Sequence, residues 1–170
     1  MDIVSKFTIA SEEGLHNLAM LKEAQIRGMY SGSVEADDLE KYINQQLDEK
    51  NAVNDLNNLS TQMVTVFAEN KPVGYAIMKH SVNRPDALVD QKAINYNAFY
   101  VMPEYDHTEI KQSLWNKCLS VTNKYDAIWI EVYQNDPIIP FLESCGFQMH
   151  AQSKIEPFGK DSHILIRTRI

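Results

Sequence analysis

Residues 93–132, AINYNAFYVMPEYDHTEIKQSLWNKCLSVTNKYDAIWIEV, decide the fold, because two apolar stretches flank one helical pattern. The first stretch, 93–102, predicts a strand that Pro103 ends. Thr108 is placed to cap the helix that follows, whose apolar residues recur at helical spacing. The second stretch, 127–132, is typical of a strand inside a sheet that helices cover. A strand, a helix and a strand in one sheet form a right-handed crossover, so we predict a parallel strand pair.

The flanking segments extend this unit into a larger mixed sheet. On the N-terminal side the patterns predict a strand, two helices and a β-hairpin; on the C-terminal side they predict a short helix, stopped by Gly146, and two strands. The predicted strands are 3–9, 63–68, 73–78, 93–102, 127–132, 147–155 and 162–170, and the predicted helices begin after Ser11 and at about 35, 109 and 137. Residues 51–60 are predicted as a connection or a frayed helix end, and 82–92 as a polar loop. The fold class is therefore α/β (α+β), with a central mixed, mostly antiparallel sheet that contains one parallel pair and is flanked by helices.

The composition is ordinary for a soluble globular protein, with 44% hydrophobic and 23% charged residues among 170. This length predicts one domain, 1–170. The formal net charge is −7 and no lysine and arginine cluster occurs, which argues against a nucleic-acid partner. The sequence contains no run of 18 apolar residues, so no membrane span is predicted. Residues 1–10 carry charges, whereas a signal peptide has an apolar stretch. A cytoplasmic location is therefore expected.

The cysteine and histidine spacings indicate no metal site. Cys118 falls within a helical pattern and Cys145 beside Gly146, so both are predicted to be reduced thiols that pack as small hydrophobic residues. The histidines are scattered along the chain, and their spacing fits no common set of metal ligands.

Three segments resemble motifs of one enzyme family. Residues 71–75, KPVGY, resemble a hairpin strand that ends in V-G-Y, and residues 99–105, FYVMPEY, resemble a strand end with the pattern L-x-V-x-P-E-Y. Asn135, Phe141, Glu143 and Gly146-Phe147 match positions of a helix with the pattern N-x-x-A-x-x-F-Y-x-K-x-G-F. In this order and spacing the segments are similar to the GNAT superfamily of acetyl-CoA-dependent N-acetyltransferases, and the resemblance covers nearly the whole chain.

The resemblance implies that acetyl-CoA is the cofactor and that it enters a groove between two splayed central strands. Its pantetheine arm would bond to backbone groups near Tyr100, Val101 and Met102, and such bonds do not depend on side-chain identity. Asn135 falls where family members often place an asparagine that contacts the cofactor. An Asx-turn that starts the late helix is the alternative explanation for Asn135.

The family's diphosphate loop, R/Q-x-x-G-x-G/A, falls on residues 106–111, where this chain departs from the pattern. Asp106 replaces the basic or amide residue, Glu109 and Lys111 replace the two glycines, and Ile110 is the position that fits. Glycines let the backbone approach the diphosphate, and the helix dipole holds its charge, so two carboxylates here weaken acetyl-CoA binding. Lys111 and His107 offset part of this repulsion. An ordinary helix start, with Glu109 stabilising the positive end, is the alternative.

Catalysis in this family uses a general acid for the departing thiolate and a general base for the amine. Leu142 stands where many members have a tyrosine acid, so Tyr133, at the end of the preceding strand, is the substitute candidate. Its alternative explanation is an amphipathic aromatic side chain in a half-buried position. Glu104, Glu131 and His80 are the candidate bases, although an acidic residue at a strand end is usually solvated.

The sequence therefore favours an N-acetyltransferase that transfers an acetyl group directly to an amine of a small molecule or peptide. The alternative is an inactive GNAT-fold protein that binds a ligand or protein or supports an active homologue, because the departures gather at Asp106, Glu109, Lys111 and Leu142. The first two helices and the loop 82–92 would shape the acceptor site. Family members are often dimers, so the resemblance is compatible with a homodimer. No membrane partner is expected.

Overall fold

The computed structural model of the protein describes residues 1–81 and 83–169. Its strands are β1 (Ile3–Phe7), β2 (Gln62–Ala68), β3 (Lys71–Lys79), β4 (Ala93–Val101), β5 (Ala127–Tyr133), β6 (Gln148–Ile155) and β7 (Lys160–Thr168). Its α-helices are α1 (Glu12–Tyr30), α2 (Ala36–Gln46), α3 (Glu49–Asn57), α4 (Thr108–Thr122) and α5 (Ile139–Ser144). Short 3₁₀ turns cover Asp86–Leu88 and Pro103–Tyr105. Val82 and Ile170, which begin the predicted loop and end the last predicted strand, lie outside the described residues.

The strands form one seven-stranded sheet in the order β1-β2-β3-β4-β5-β7-β6. Only β4 and β5 run parallel among the paired strands of the described chain, and every other pairing is antiparallel. The predicted mixed sheet with one parallel pair is therefore confirmed.

Helices cover both faces of the sheet. On one face α4 and α5 contribute Ile110, Leu114 and Phe141 to the largest apolar cluster, which includes Val64 and Val66 of β2. On the other face α1 packs Leu18 and Leu21 against β2 and β3. Both sides of the central strands are consequently buried, which explains why these strands read as continuous apolar runs. No helix within residues 1–81 and 83–169 is both long and apolar enough to cross a lipid bilayer.

The helical segment after the first break differs from the prediction. Two helices, α2 and α3, replace the single helix expected over residues 35–50, and residues 51–57 are helical where a connection or frayed end was expected. Asp48 is the cause, since its Oδ1 accepts the Lys50 N–H at 3.1 Å and starts a new helix. The break also comes later than expected, because α1 continues past Gly28 to Tyr30.

Two glycines near the site allow backbone arrangements that a larger residue would disfavour. A Cβ on Gly74 would lie 2.5 Å from the carbonyl oxygen of Tyr100, so this position of β3 needs glycine for the close approach of β4. Gly146 has φ +98° and ends α5, as predicted.

The parallel pair separates soon after it begins. Only Ala93, Ile94 and Asn95 pair with β5. The Asn95 side chain donates to the carbonyl oxygen of Trp129 at 3.2 Å, at the last paired position. Asn97 is then an extra residue of β4 opposite β3, and such a bulge bends a strand. The ends of β4 and β5 therefore diverge and leave a gap in the sheet.

Candidate active site

A cavity of about 340 Å³ occupies the gap between the diverging ends of β4 and β5. We call it the gap cavity. Its lining comes from α1, from the end of β4 and the connection that follows it, from the first turn of α4, and from the end of β5 with the turn that follows. The residues are Ala24, Gln25, Gly28, Met29, Phe99–Glu104, Asp106, Lys111, Tyr133 and Asp136–Ile138. The cavity thus passes through the sheet, from the N-terminus of α4 on one face to α1 on the other.

Backbone groups of β4 form one wall of the gap cavity. The Met102 N–H donates to the carbonyl oxygen of Val73 at 2.9 Å, and the close approach at Gly74 shows that the Tyr100 carbonyl also points to β3. Because backbone polar groups alternate between the two sides of a strand, those of Phe99 and Val101 face the gap. No strand pairs with them there, since the ladder to β5 ends at Asn95. They are available to bond an extended ligand.

The N-terminus of α4 lies at one end of the gap cavity. The helix begins at Thr108, one residue before the prediction, and His107 rather than Thr108 occupies the cap position, without a side-chain bond. The N–H groups of Ile110 and Lys111 both donate to the His107 carbonyl oxygen, at 3.1 and 3.2 Å. Those of Thr108 and Glu109 find no acceptor in the part of the chain that the structure describes. These two amides, at the positive end of a helix, can receive an anion.

Acidic side chains line the gap cavity near this helix end. Lys111 Nζ lies 2.5 Å from Asp106 Oδ1, so the one basic side chain of the described lining is paired with a carboxylate. Glu104 and Asp136 also line the cavity. Burial raises the pKa of Asp136 to about 6, although its carboxylate accepts the Ile138 N–H at 3.0 Å. At neutral pH the lining therefore carries more negative than positive charge.

A second cavity, of about 360 Å³, adjoins the first on the α1 face of the sheet. We call it the polar pocket. Gln25 and Met29 line both cavities, so the two meet at α1. Most of the lining is polar or aromatic, and it includes Lys22, Tyr30, Tyr42, Gln46, Asn95, Asn97, Trp129 and Glu131. Glu131 is the only carboxylate of the described lining.

Strand β5 supplies a candidate acid and a candidate base to the two cavities. Glu131 lines the polar pocket and Tyr133 lines the gap cavity. The two residues are two positions apart in a strand, so their side chains leave the same face of the sheet. Burial, and then the charge of Asp136, raise the pKa of Tyr133. The Lys160 Nζ lies 5.1 Å from the centre of the Tyr133 ring.

The fold is shared with solved acetyltransferases. The PaiA N-acetyltransferase of Thermoplasma acidophilum, in complex with coenzyme A, superposes with a TM-score of 0.76 at 18% identity, over 99% of this chain and 100% of that one. An acetyltransferase of Streptococcus agalactiae gives 0.71 at 17% identity, over 98% of both chains. The ribosomal-protein-S18-alanine N-acetyltransferase of Escherichia coli gives 0.63 at 12% identity, over 97% and 94%.

This protein has the GNAT fold. No sequence-family profile matches the chain, and no curated protein sequence matches it. At identities below 20% the likeness establishes the architecture, while the chemistry depends on the residues that line the strand gap of this chain.

Within the GNAT fold, the structure brings most of the predicted site residues together. Tyr100, Val101, Met102, Glu104, Lys111 and Tyr133 line the gap cavity, and Glu131 lines the adjoining polar pocket. Their predicted roles remain predictions. Glu131 is half-buried in the polar pocket, whereas Glu104 is exposed where it lines the gap cavity.

Three other predicted residues lie elsewhere. Ile110 is fully buried in the apolar core, and its N–H is bonded to His107, so neither group faces the cavity. Asn135 is exposed and does not line either cavity. The neighbouring Asp136 forms the turn bond instead. His80 contacts the Tyr125 hydroxyl at 3.1 Å on the outer surface and lines neither cavity.

The sequence pattern missed several residues that the GNAT fold brings to the site. Asp136 follows Asn135 in the predicted Asx-turn, and a turn formed by either residue fits that stretch equally well. Tyr30 closes α1 beyond the predicted break at Gly28, so the pattern gave no reason to place it in a pocket. The described chain holds no cluster of three or more His, Cys, Asp or Glu side chains arranged for a metal ion.

Proposed function

We propose that this protein is an acetyl-CoA-dependent N-acetyltransferase, with residues 1–170 as one catalytic domain, that transfers an acetyl group directly to an amine. The observation that carries the proposal is the meeting of two cavities at Gln25 and Met29. A reaction between two substrates needs both reactive groups at one point, and these cavities supply an entrance for each from opposite faces of the sheet.

The gap cavity suits the acetyl donor in part. The backbone groups of Phe99 and Val101 would bond the amides of the pantetheine arm, and the free N–H groups of Thr108 and Glu109 would hold the diphosphate. The carboxylates of Asp106, Glu104 and Asp136 oppose the phosphate charge. We therefore expect acetyl-CoA to bind through its pantetheine half more than through its nucleotide half.

The two β5 side chains have complementary roles in this proposal. Glu131, in the polar pocket, accepts a proton from the incoming amine, which frees the nitrogen lone pair to attack the thioester carbonyl carbon. The C–S bond breaks as the amide C–N bond forms. Tyr133 donates its hydroxyl proton to the departing thiolate and recovers a proton from the nitrogen of the new amide, so the thiol, the amide and the tyrosine hydroxyl are all neutral at the end and the released proton remains on Glu131. No acyl-enzyme is required.

A non-catalytic binding protein is the second candidate. The surplus of carboxylates around the gap cavity favours it, because a diphosphate is repelled where the GNAT fold otherwise attracts one. In that case the cavities would hold a less charged ligand or a segment of a partner protein.

Acetyl transfer to a panel of amines distinguishes the two candidates. We expect the wild-type protein to release CoA thiol when acetyl-CoA and a suitable amine are present. Tyr133→Phe is expected to lower kcat by about 10²-fold while leaving acetyl-CoA binding nearly unchanged, because only the proton donor is lost. Tyr125→Phe, which removes a surface hydroxyl, is the matched control. Silence across the panel with bound acetyl-CoA would support the non-catalytic candidate.

A further inference from the structure

Lys22, on α1, is the only basic residue of the described lining of the polar pocket, and the proposed reaction does not use it. Its side chain is half-buried, so a ligand in the pocket can still reach it. The ion pairs among residues 1–81 and 83–169 do not include Lys22. Burial lowers the pKa of Lys22, because its ammonium has lost part of its hydration and is not fully compensated. An anion beside this group would offset that loss.

The charged groups that act on Lys22 leave it with a net positive charge. They are Asp55 of α3 and Lys79 of β3, whose effects on the pKa of Lys22 are opposite in direction. Neither residue lines the polar pocket. Since the formal charges of Asp55 and Lys79 cancel, the three groups together carry one positive charge, and Lys22 is the member that the pocket contains.

Glu131 supplies the negative charge of the same pocket. Its neighbours Ile130 and Val132 belong to the apolar cluster on the α4 face of the sheet. Because side chains alternate along a strand, Glu131 leaves the opposite face, where the polar pocket lies. The carboxylate is half-buried, and in the described part of the chain it forms no ion pair.

The two charges lie toward different ends of the pocket. The charge of Glu131 acts on Tyr30, the last residue of α1. Lys22 lies about two turns earlier on that helix, which is a rise of about 12 Å. Side chains of a helix also lean toward its N-terminus, and this direction carries the ammonium of Lys22 further from Glu131. The pocket therefore presents a separated cation and anion instead of an internal ion pair.

We propose that the polar pocket binds an ω-amino carboxylate, a small molecule whose primary amine lies beside Glu131 and whose carboxylate pairs with Lys22 at the other end of a carbon chain. The inference rests on the proposed function, in that it treats this pocket as the acceptor site. A cavity of about 360 Å³ lies within the range of small-molecule sites. Tyr42 and Trp129, which also line it, would contact the carbon chain.

The charge of Lys22 decides between this substrate class and other amines. A simple alkylamine satisfies Glu131 but leaves Lys22 without an anion. A diamine places a second cation near Lys22 and is repelled by it. An amino carboxylate with both groups on adjacent carbons cannot reach both side chains at once, because their charges are separated along α1.

Titration without acetyl donor tests the proposal, with 6-aminohexanoate as the probe. Hexylamine has the same chain without the carboxylate, and 2-aminohexanoate is the isomer whose amine lies beside the carboxylate. We expect wild-type protein to bind 6-aminohexanoate about tenfold more tightly than either compound. The first comparison measures the contribution of the anion, and the second measures the effect of its distance from the amine.

Substitutions at Lys22 should change only the response to the carboxylate. Lys22→Gln should bind 6-aminohexanoate and hexylamine within about twofold of each other, because the attraction depends on the ammonium. Lys22→Arg keeps the charge and should keep most of the preference. Lys79→Gln removes the neighbouring lysine that lies outside the lining, so this matched control should retain the preference of wild type. Calorimetry gives all of these affinities.

Equal affinity of wild type for 6-aminohexanoate and hexylamine would overturn the proposal, as would an absence of binding at millimolar probe. An equal loss of both probes in Lys22→Gln would also overturn it, since Lys22 would then maintain the shape of the pocket and not bind the carboxylate. Equal affinity for 2-aminohexanoate would contradict the assigned spacing.

The outcome of this test is separate from that of the proposed function. Because no donor is present, an absence of acetyl transfer contradicts only the proposed function. If transfer does occur, Lys22→Gln should raise the KM for 6-aminohexanoate with little change in kcat. An unchanged KM in an active enzyme would overturn the role of Lys22 alone.

Discussion

The gap cavity has a wall formed by the end of β4 and a mouth at Asp106 and the start of α4. The wall and the mouth depend on the sequence in different ways. Along the wall, the groups that face the gap are the backbone N–H and C=O of Phe99 and Val101, which any residue other than proline would supply. At the mouth, the Asp106–Lys111 pair and the neighbouring carboxylates decide what charge the cavity accepts. A groove made of backbone can therefore persist while a charged entrance diverges.

The same comparison extends to the polar pocket, where individual side chains decide the chemistry. Glu131 is the only carboxylate of the described lining there, whereas the gap cavity has three. Losing one carboxylate should therefore have unequal consequences in the two cavities.

Glu131→Gln should abolish most of the acetyl transfer. The amide keeps the size of the side chain but cannot accept a proton, so we expect kcat/KM to fall by about 10²-fold or more, with CoA affinity within about twofold of wild type. Steady-state kinetics and calorimetry give the two numbers.

Glu104→Gln is the matched control for this change, because it removes a carboxylate from the gap cavity instead. It should tighten CoA binding slightly and leave the dependence of kcat on pH unchanged. A larger loss of activity in Glu104→Gln than in Glu131→Gln would reverse our assignment of the base.

Asp136 should make the stability of the protein depend on pH. Its pKa rises from 3.8 to about 6 on folding, so the folded state binds more protons than the unfolded state between these values. The free energy of unfolding should therefore decrease as pH rises from about 4 to 6, by about 2 kcal/mol, since one pKa unit corresponds to about 1.4 kcal/mol.

Asp136→Asn should flatten this part of the stability curve, as measured by urea unfolding at a series of pH values. Asp161→Asn offers a contrast of opposite sign. Lys154, which lies 2.6 Å away, lowers the pKa of Asp161, so that carboxylate favours the folded state at higher pH. An identical curve for wild type and Asp136→Asn would mean that the Asp136 carboxyl titrates as in the unfolded chain.

Asp106→Asn should tighten CoA binding by a small factor. The substitution removes one negative charge and frees Lys111 to face the diphosphate, and a charge near the protein surface changes affinity by about three- to tenfold. The gain should shrink as salt is added. Asp161→Asn, which opens a similar lysine pair on the exposed β6–β7 hairpin, should leave CoA affinity unchanged, and an equal gain in that control would point to overall charge as the cause.

The fold was more accessible from the sequence than the site. Apolar runs such as 127–132 and the stop at Gly146 predict strands and turns from local chemistry, and the structure has them in the expected order. The split between α2 and α3 was missed because one side chain, Asp48, decides it.

The site depends on contacts that the sequence pattern does not contain. Two of the motif positions, Asp106 and Lys111, line the gap cavity, yet Asn135 is exposed and the neighbouring Asp136 lines the cavity instead. Tyr30 and Glu131 are about 100 residues apart in the sequence, and both line the polar pocket because α1 lies across the ends of β4 and β5. Periodicity describes single elements, so it cannot report which side chains share a pocket.

We expect the backbone-walled gap to bind the acetyl donor despite its acidic mouth. Calorimetric titration of the wild-type protein with CoA measures this binding. Our account predicts saturable binding with a Kd in the micromolar range and one CoA per chain. An absence of binding heat with millimolar CoA would contradict this prediction, because it would show that the backbone groups of Phe99 and Val101 do not bond the pantetheine arm.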